Sequence, residues 1–301
     1  MQVLIAGGSG FVGQALAKAL LQRDDEVIIV SRHSKPASNL VYSQYYTWDD
    51  ITTTPSLIEN VHAIVNLSGA TINQRWTKKA KQNIVSSRLW SASKLADLLS
   101  FCKHNPVVVN ASGISVYGND WDTIFHENSP VTTSDFLSQV VHAWEQAADQ
   151  INASRLIKLR IGVVLARKGG AFPLMCLPYR LLVGGKIGPG KQPISWIHLD
   201  DLAQLIIYCI DHNEIKGVVN GSAPHPITNN EFGKAIGRAL GKPHYFPLPG
   251  WALQLVLGEM SQLLLTGQHA IPEKALNCGF KFQYPTADVA MKQIFTNSNH
   301  S

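Results

Sequence analysis

The chain opens with two short apolar runs separated by a helix-forming stretch. Residues 2–6 are apolar after Gln2 and have no helical periodicity, residues 14–21 favour a helix, and residues 26–30 are apolar again after Glu26. Uninterrupted apolar runs of this length are typical of buried strands, and two parallel strands need a crossover between them. The pattern therefore predicts a β-α-β unit at the start of the chain.

The same alternation continues to residue 165. It predicts strands at 45–48, 63–70, 106–111 and 156–165, and helices at 55–60, 77–101 and 134–150. Such an order indicates an α/β fold, a doubly wound parallel sheet of the Rossmann type covered on both faces. From Ala166 the pattern changes: glycine-rich loops at 168–171 and 183–190 flank a short apolar segment, which we interpret as a lid or pocket wall.

Further sheet elements come later in the chain. We expect a strand near 194–199, a helix at 202–210, a strand at 218–220, and C-terminal helices at 251–257, 260–265 and 287–295. Thr228 and Glu231 have the spacing of a capping box and predict another helix start. The predicted organisation is a Rossmann domain at 1–165, its sheet completed by about 194–224, and a smaller substrate-binding or lid region at 166–193 and 225–301.

The turn after the first strand carries three glycines at a fixed spacing. Gly7, Gly10 and Gly13 let the chain turn tightly, let backbone N–H groups approach a pyrophosphate, and let the helix pack close to the strand. The helix N-terminus adds partial positive charge. Since the turn lies between a predicted strand and a predicted helix, the sequence indicates dinucleotide binding.

The end of the second strand bears on which dinucleotide binds. NAD-selective chains usually place Asp or Glu there, whereas this chain has Ser31 and Arg32 followed by Lys35, with no acid. A charge-assisted contact to a 2′-phosphate is worth about 1.5–3 kcal/mol, so Arg32 favours NADP over NAD. The alternative is that Arg32 and Lys35 are solvated loop charges.

Two more strand ends are candidates for the cofactor site. Ligands of open α/β sheets bind at the carboxyl ends of the strands, which places Leu67, Ser68 and Gly69 against the cofactor. Trp48 and Asp49, after the third strand, are either neighbours of the adenine or a core residue and a helix cap. The sequence leaves that choice open.

Composition narrows the class of protein. The chain has 301 residues, 45% hydrophobic and 16% charged, with a net charge of +5 and a pI near 9.0. Its basic residues are scattered, apart from a group between Arg75 and Arg88, and no aromatic and basic interleaving indicates a nucleic-acid partner. The four cysteines lack metal-ligand spacing, so we expect neither a metal nor a disulfide. No apolar run approaches a membrane span and no signal peptide precedes the first strand, so we expect no membrane partner and a cytoplasmic location.

Taken together, these motifs resemble the extended short-chain dehydrogenase/reductases, and more narrowly their atypical branch, the NAD(P)-dependent epimerase family proteins. The narrower resemblance rests on residues 75–77, 87–89, 144–145, 160–165, 195–198 and the run from Leu257 to Phe282. It covers nearly the whole chain and implies NADP as cofactor. The implied NADP contacts are Gly7, Gly10, Phe11, Val12, Gly13, Ser31, Arg32, Leu67, Ser68, Gly69, Asn83 and Arg88.

Catalysis is where the sequence departs from the family pattern. Ordinary members carry a Tyr-x-x-x-Lys pair after the fifth strand, in which the Lys lowers the Tyr pKa for proton transfer and a Ser or Thr assists. Ser112 occupies the place of the assisting hydroxyl, but between Tyr117 and Lys158 the chain has no Tyr or Lys. The usual acid–base pair is therefore missing.

Three interpretations survive. In the first, which we favour, the protein is an oxidoreductase or epimerase acting on a polar, nucleotide-linked small molecule, with Tyr117, His142 or Glu145 moving the proton. In the second, it is a non-catalytic NADP(H) sensor that reports to a partner. The third interpretation is a cell-division inhibitor, and no residue of the sequence suggests how it would act. His198 is expected to be a buried structural residue, with a catalytic role as the alternative, and a homodimer is left open.

Overall fold

The computed structural model describes residues 1–32 and 44–296. Lys35 therefore lies outside the described residues. The strands are β1 Gln2–Ala6, β2 Glu26–Ser31, β3 Gln44–Thr47, β4 Ala63–Asn66, β5 Val107–Gly113, β6 Asp120–Phe125, β7 Arg155–Ile161, β8 Val163–Leu165, β9 Pro193–Ile194, β10 Trp196–His198, β11 Gly217–Gly221, β12 Ile227–Thr228 and β13 Gln268–Ala270.

Helices follow most of the strands. The α-helices are α1 Phe11–Leu21, α2 Trp48–Thr53, α3 Lys78–Leu98, α4 Phe136–Ala148, α5 Phe172–Arg180, α6 Leu199–Asp211, α7 Asn229–Leu240, α8 Gly250–Leu257, α9 Gln262–Leu265, α10 Glu273–Asn277 and α11 Ala287–Thr296. Short 3₁₀ turns span Pro55–Ile58, Leu99–Phe101, Ile114–Tyr117 and Gly258–Ser261.

Seven parallel strands form the central sheet in the order β3-β2-β1-β4-β5-β7-β11. Helices cover both faces because the strand residues are apolar on both sides. Val3 and Ile5 pack with α1 and α6 on one face, and Leu4 and Ala6 pack with α2, α3 and α4 on the other. The predicted Rossmann fold is confirmed.

Gly162 divides the predicted strand 156–165 into two. A β-carbon at Gly162 would lie 2.5 Å from the carbonyl oxygen of Ser195, so only glycine permits this approach. The backbone then leaves the central sheet, and β8 pairs with β10 in parallel. The periodicity of the sequence does not indicate the break between β7 and β8, because apolar residues occur on both sides of Gly162.

Other boundaries also differ from expectation. The helix predicted at 55–60 is a 3₁₀ turn at Pro55–Ile58. The preceding helix α2 begins at Trp48 with a capping box between Thr47 and Asp50. The loop expected after Gly118 contains β6, which pairs with β13 from the end of the chain. The short apolar segment after Ala166 is the helix α5.

The region after residue 165 has an apolar core of its own. Phe172 and Tyr179 of α5, Phe232 of α7 and Met291 of α11 are buried together with Trp196. The Thr228 and Glu231 capping box is present at the start of α7. This packing is compatible with the predicted smaller region, whose boundaries stay a prediction. Within the described part of the chain, no helix is both long and apolar enough to cross a bilayer.

Candidate cofactor site

The strand order places a crevice beside β1. The chain runs outward to β2 and β3 on one side of β1 and to β4 and β5 on the other. Where the strand order reverses in this way, the loops at the carboxyl ends of the two neighbouring strands run in opposite directions and leave room for a ligand. Three predicted segments meet at this edge: the glycine turn, the end of β2 and the turn after β4.

The glycine turn is shaped by close backbone contacts. Gly7 has φ +79°, and a β-carbon there would lie 2.9 Å from Leu67 and Ser68 backbone atoms, whereas one at Gly13 would lie 2.5 Å from Gly8 Cα. Gly10 differs, since its β-carbon would meet only Gly7 O at 3.3 Å. Gly7 and Gly13 are therefore required by the fold, and Gly10 leaves open space above the turn.

The N-terminus of α1 has no side-chain cap. Gly10 is the N-cap residue, and the first turn contains no acidic residue. The first N–H groups of a helix have no partner within the helix, and they favour an anion such as a phosphate. Phe11 and Val12 occupy this first turn. A pyrophosphate fits the donors and the space here.

A second glycine-rich loop lies against the same helix start. β-Carbons at Gly169 and Gly170 would lie 2.7 Å and 3.0 Å from Phe11. Both glycines have positive φ, so the loop can follow the aromatic ring closely. The segment that carries Arg167 and Lys168 is thus next to the glycine turn, a proximity that the sequence did not indicate.

The end of β2 supplies the predicted Ser31 and Arg32. Ser31 is buried at the last position of the strand, parallel to β1, and Arg32 is exposed directly after it. No acidic residue stands at either position. The arrangement suits an exposed cation meeting a phosphate at the outer end of the crevice.

The turn after β4 is held by buried amides. Asn66 donates to Asn110 Oδ1 at 2.7 Å and accepts the N–H of Ser68 at 3.1 Å. Leu67 donates its N–H to Ala6 O on the neighbouring strand β1. These bonds fix the backbone of Leu67, Ser68 and Gly69 beside Gly7, as expected for a wall of the cofactor site.

Arg88 on α3 reaches this turn. Its Nη1 donates to Ala70 O at 3.0 Å and to Ile84 O at 2.9 Å, and its guanidinium lies 5.1 Å from the ring centre of Trp144. No carboxylate of the described residues forms an ion pair with it. Burial lowers the pKa of Arg88 to about 10, because partial removal from water disfavours the charged guanidinium.

Asn83 requires a correction. The apolar pattern of the helix predicted at 77–101 places Asn83 beside the apolar stripe of that helix, so it is not expected to be plainly exposed, but its side chain is exposed. The buried positions of that helix are Ile84, Ser91, Ala92, Leu95 and Leu98. A contact between Asn83 and the cofactor stays a prediction, and it would have to form from the solvent side.

Ser112 belongs to a buried ionic network. Its hydroxyl donates to Glu145 Oε1 at 2.5 Å, and Arg160 donates to both oxygens of Glu145 at 2.8 Å. Burial alone would raise the pKa of Glu145, but the hydrogen bonds and charge of Arg160 outweigh it and lower that pKa. Glu145 is thus held ionised by fixed partners, and the network orders the end of β5.

Tyr117 lies on the other side of Arg160. Its hydroxyl is within hydrogen-bond distance of Asn220 Oδ1 at 2.8 Å and His126 O at 3.0 Å, and the Arg160 guanidinium lies 4.8 Å from its ring centre. Burial raises the pKa of Tyr117 despite Arg160. A catalytic role for Tyr117 stays a prediction, and this geometry favours a structural one.

The helix that carries Tyr and Lys in ordinary family members is apolar here. On α4, Val141 faces Gly113 at the end of β5, with Cγ2 3.2 Å from the position of a β-carbon on that glycine. Leu137 and Val140 join an apolar cluster with Trp76 and with Met260 from the C-terminal region. His142 on the same helix is half-buried.

Two open alternatives can be compared with the structure. Trp48 is buried and packs edge-to-face on Trp90, so it is a core residue. The cap of α2, for which Asp49 was one alternative, is made by Thr47. His198 is buried, accepts the N–H of Asp200 as the N-cap of α6, and lies 2.9 Å from Gln293. These contacts favour a structural role for both residues, and the catalytic alternative for His198 stays a prediction. Residues 1–32 and 44–296 contain no arrangement of His, Cys, Asp and Glu suited to a metal ion.

Two family models match the chain. The NAD dependent epimerase/dehydratase family matches residues 3–220, and a Domain of unknown function (DUF1731) matches residues 248–294. The first match spans the central sheet up to β11, and the second covers α8 to α11. Residues 221–247 lie between the two matches.

Similar proteins cover the chain end to end. Epimerase family protein YfhF of Bacillus subtilis is 37% identical over 302 residues, 99% of each chain. The crystal structure of human epimerase family protein SDR39U1 (isoform 2) with NADPH has a TM-score of 0.90 at 37% identity, covering 99% of this chain and 100% of that one. A nucleoside-diphosphate sugar epimerase from Corynebacterium glutamicum has a TM-score of 0.75 at 26% identity, covering 98% of this chain and 58% of that one.

Proposed function

The chain belongs to the NAD dependent epimerase/dehydratase family, and we propose that it is an atypical member that binds NADP(H) and acts as an oxidoreductase or epimerase on a small molecule. One observation carries the cofactor proposal. The start of α1, which has no side-chain cap, lies in a turn whose Gly7 and Gly13 leave no space for a β-carbon. The half-buried Arg88 lies against the adjoining Gly69 turn and forms no ion pair with a carboxylate of residues 1–32 and 44–296. The human relative that contains NADPH supports it.

NADP(H) is proposed over NAD(H) because of the charges at the end of β2. Arg32 is exposed directly after the strand, where NAD-selective proteins place an acid. The 2′-phosphate of NADP would gain a charge-assisted contact there, and NAD would not. The pyrophosphate would lie over Gly10, Phe11 and Val12, with Leu67 to Gly69 as the neighbouring wall.

The chain's own residues limit how a proton can move. When bound, NADPH supplies a hydride to an acceptor. Ser112 and Glu145 are tied to Arg160, and Tyr117 is tied to Asn220, so none of them is free to exchange a proton without breaking a buried hydrogen bond. We propose that Ser112 positions the site through this network and that the proton comes from solvent or from the substrate.

A sensor without turnover is the second candidate. It is favoured by one observation, the apolar face that α4 presents where acid–base residues would be needed. In this alternative the cofactor's occupancy changes the contacts of Arg88 and the C-terminal region, and a partner responds.

The substrate is proposed by class. A nucleotide-linked sugar is the first choice, supported by the name of the relative from Corynebacterium glutamicum. The region at 166–193 and 225–301 would cover it, since Met260 already packs near α4. A cytoplasmic location and a homodimer stay predictions.

The experiment has two steps. Purified protein is titrated with NADPH and NADH by fluorescence or calorimetry, and NADPH is expected to bind at least tenfold more tightly. The protein is then incubated with NADPH and a panel of sugar nucleotides and small carbonyl compounds, following absorbance of the reduced nicotinamide. Turnover of any of them supports the enzyme, binding without turnover supports the sensor, and no binding overturns both.

A further inference from the structure

The exposed apolar residues of this protein are concentrated in two segments. Among the described residues, eleven of the eighteen large apolar side chains that are exposed belong to 174–183 and 245–256. We call these side chains the apolar surface. They contribute roughly 1,000 Å² of accessible area, well above the 300–600 Å² of the largest patch on a typical monomer.

The two segments are adjacent in space. Tyr245 and Phe246 donate their N–H groups to Gly184 O, at the end of the first segment, and Leu248 donates to Lys186 O. The chain just after the first segment and the start of the second segment therefore lie side by side.

Helix α8 exposes apolar side chains of the kind that an ordinary surface helix buries. Of its eight residues only Leu253 is buried, while Trp251, Leu255 and Val256 are 66%, 77% and 74% exposed. A surface helix normally directs such residues into the core. This helix instead presents them to solvent, which indicates a partner that takes up apolar side chains.

Charge indicates the kind of partner. Residues 172–191 and 242–258 contain Arg180, Lys186, Lys191 and Lys242 and no Asp or Glu. A second copy of the chain related by a two-fold axis would bring the same unpaired cations to both sides of the interface. An anionic bilayer surface would instead attract them, at about 1 kcal/mol for each Lys or Arg near it.

We propose that the apolar surface docks on an anionic lipid bilayer. Trp251, Leu255 and Val256 enter the boundary between headgroups and acyl chains, with Tyr245 and Phe246 beside them, and the surrounding cations contact acidic headgroups. The inference is independent of the cofactor proposal, and it revises our expectation of no membrane partner: that expectation was based on spanning segments, and this surface does not span.

The test is cosedimentation with vesicles. The full chain is expected to sediment with vesicles of phosphatidylcholine and phosphatidylglycerol, to release them when salt is added, and to bind phosphatidylcholine alone much more weakly. Replacing Leu255→Ser together with Val256→Ser is expected to lower partitioning tenfold or more. Replacing Lys186→Glu together with Lys242→Glu is expected to abolish the preference for phosphatidylglycerol.

The control replaces two apolar residues that are exposed elsewhere. Leu276→Ser with Val289→Ser, 42% and 45% exposed in the parent chain, is expected to leave partitioning unchanged, and thermal melting checks that all variants fold. No sedimentation with anionic vesicles overturns the proposal. Light scattering that shows a dimer of the free chain, lost in the Leu255 and Val256 variant, also overturns it and assigns the surface to a second copy.

Discussion

The guanidinium of Arg88 lies directly over Gly69, where a β-carbon would be 3.0 Å from its Cζ. Because Gly69 has no side chain, Arg88 of α3 can place its guanidinium at the carboxyl end of β4. The guanidinium lies 5.1 Å from the ring centre of Trp144, and the buried indole Nε1 has no hydrogen-bond partner among residues 1–32 and 44–296. This relationship joins a wall of the crevice to the helix behind it.

Replacing Arg88→Met is expected to lower the affinity for NADPH and to leave the stability of the fold nearly unchanged. The lost hydrogen bonds to Ala70 and Ile84 are offset by removal of a half-buried charge that no carboxylate of the described residues pairs with, so the free energy of unfolding should change by less than about 1 kcal/mol. NADPH affinity should fall at least tenfold because the ligand loses a charge-assisted contact. Urea unfolding and fluorescence titration measure the two. A large loss of stability with unchanged affinity would make Arg88 a structural residue only.

Gly10→Ala tests the space above the glycine turn. The new methyl group meets only Gly7 O at 3.3 Å, so we expect a stability loss of about 1 kcal/mol or less and a loss of NADPH affinity of tenfold or more. Gly241→Ala is the matched control, since Gly241 has φ +63° with nothing within 4 Å of its β-carbon position. It should cost about 1 kcal/mol of stability and leave the affinity unchanged. Equal affinities in both variants would contradict a pyrophosphate at Gly10.

Arg32→Ala addresses the choice of cofactor. Loss of one charge-assisted phosphate contact should weaken NADPH binding about tenfold to a hundredfold and leave NADH binding nearly unchanged. Lys103→Ala, at an exposed ion pair with Glu59, serves as the control for removal of a surface charge. Calorimetric titration with both cofactors gives the comparison, and equal losses for NADPH and NADH would remove the selectivity argument.

Glu145→Gln should destabilise the protein in a pH-dependent way. At neutral pH it leaves Arg160 buried without its carboxylate, at a cost of about 3 kcal/mol. Because the pKa of Glu145 is lowered on folding, its ionisation stabilises the folded state above the ordinary Glu range near ~4.3. That contribution is lost as pH falls through the lower pKa of the folded state.

Urea unfolding at a series of pH values measures this effect. The difference in unfolding free energy between the parent chain and Glu145→Gln should be constant near neutrality and shrink below pH ~4. Glu231→Gln, in the capping box of α7, is the control and should cost less than about 1 kcal/mol. A pH-independent difference at Glu145 would contradict the ionised network.

Tyr117→Phe distinguishes structure from catalysis. The variant loses the hydrogen bond to Asn220 and should be less stable by about 1–2 kcal/mol, while NADPH affinity stays the same. If the substrate panel reveals turnover, kcat of the variant should remain within about threefold of the parent. A drop of a hundredfold or more with normal NADPH binding would establish proton transfer by Tyr117.

Much of the fold follows from local patterns in the sequence. The apolar strands β1, β2, β4 and β5 and the glycines at 7, 10 and 13 are features that neighbouring residues determine. The capping residues Thr77 and Thr228 likewise mark helix starts from sequence alone. The same patterns predict a cofactor site at the carboxyl edge of the sheet, and that site stays a prediction.

The remaining features depend on residues far apart in the chain. The bend at Gly162 depends on Ser195, β6 depends on β13, and the exposure of Asn83 depends on how α3 rotates against the sheet. The contact of Gly169 with Phe11 joins positions more than 150 residues apart. No local periodicity carries such information, and long-range pairs of this kind are read only from the folded chain.

The position of β11 at the outer edge of the sheet affects synthesis of the chain. β7 pairs with β5 on one side, and its other edge is covered only by residues 217–221. Until the ribosome has released those residues, the nascent protein exposes a strand edge able to pair with other chains. Completion of β11 is therefore the step at which the growing polypeptide stops being prone to aggregate along that edge.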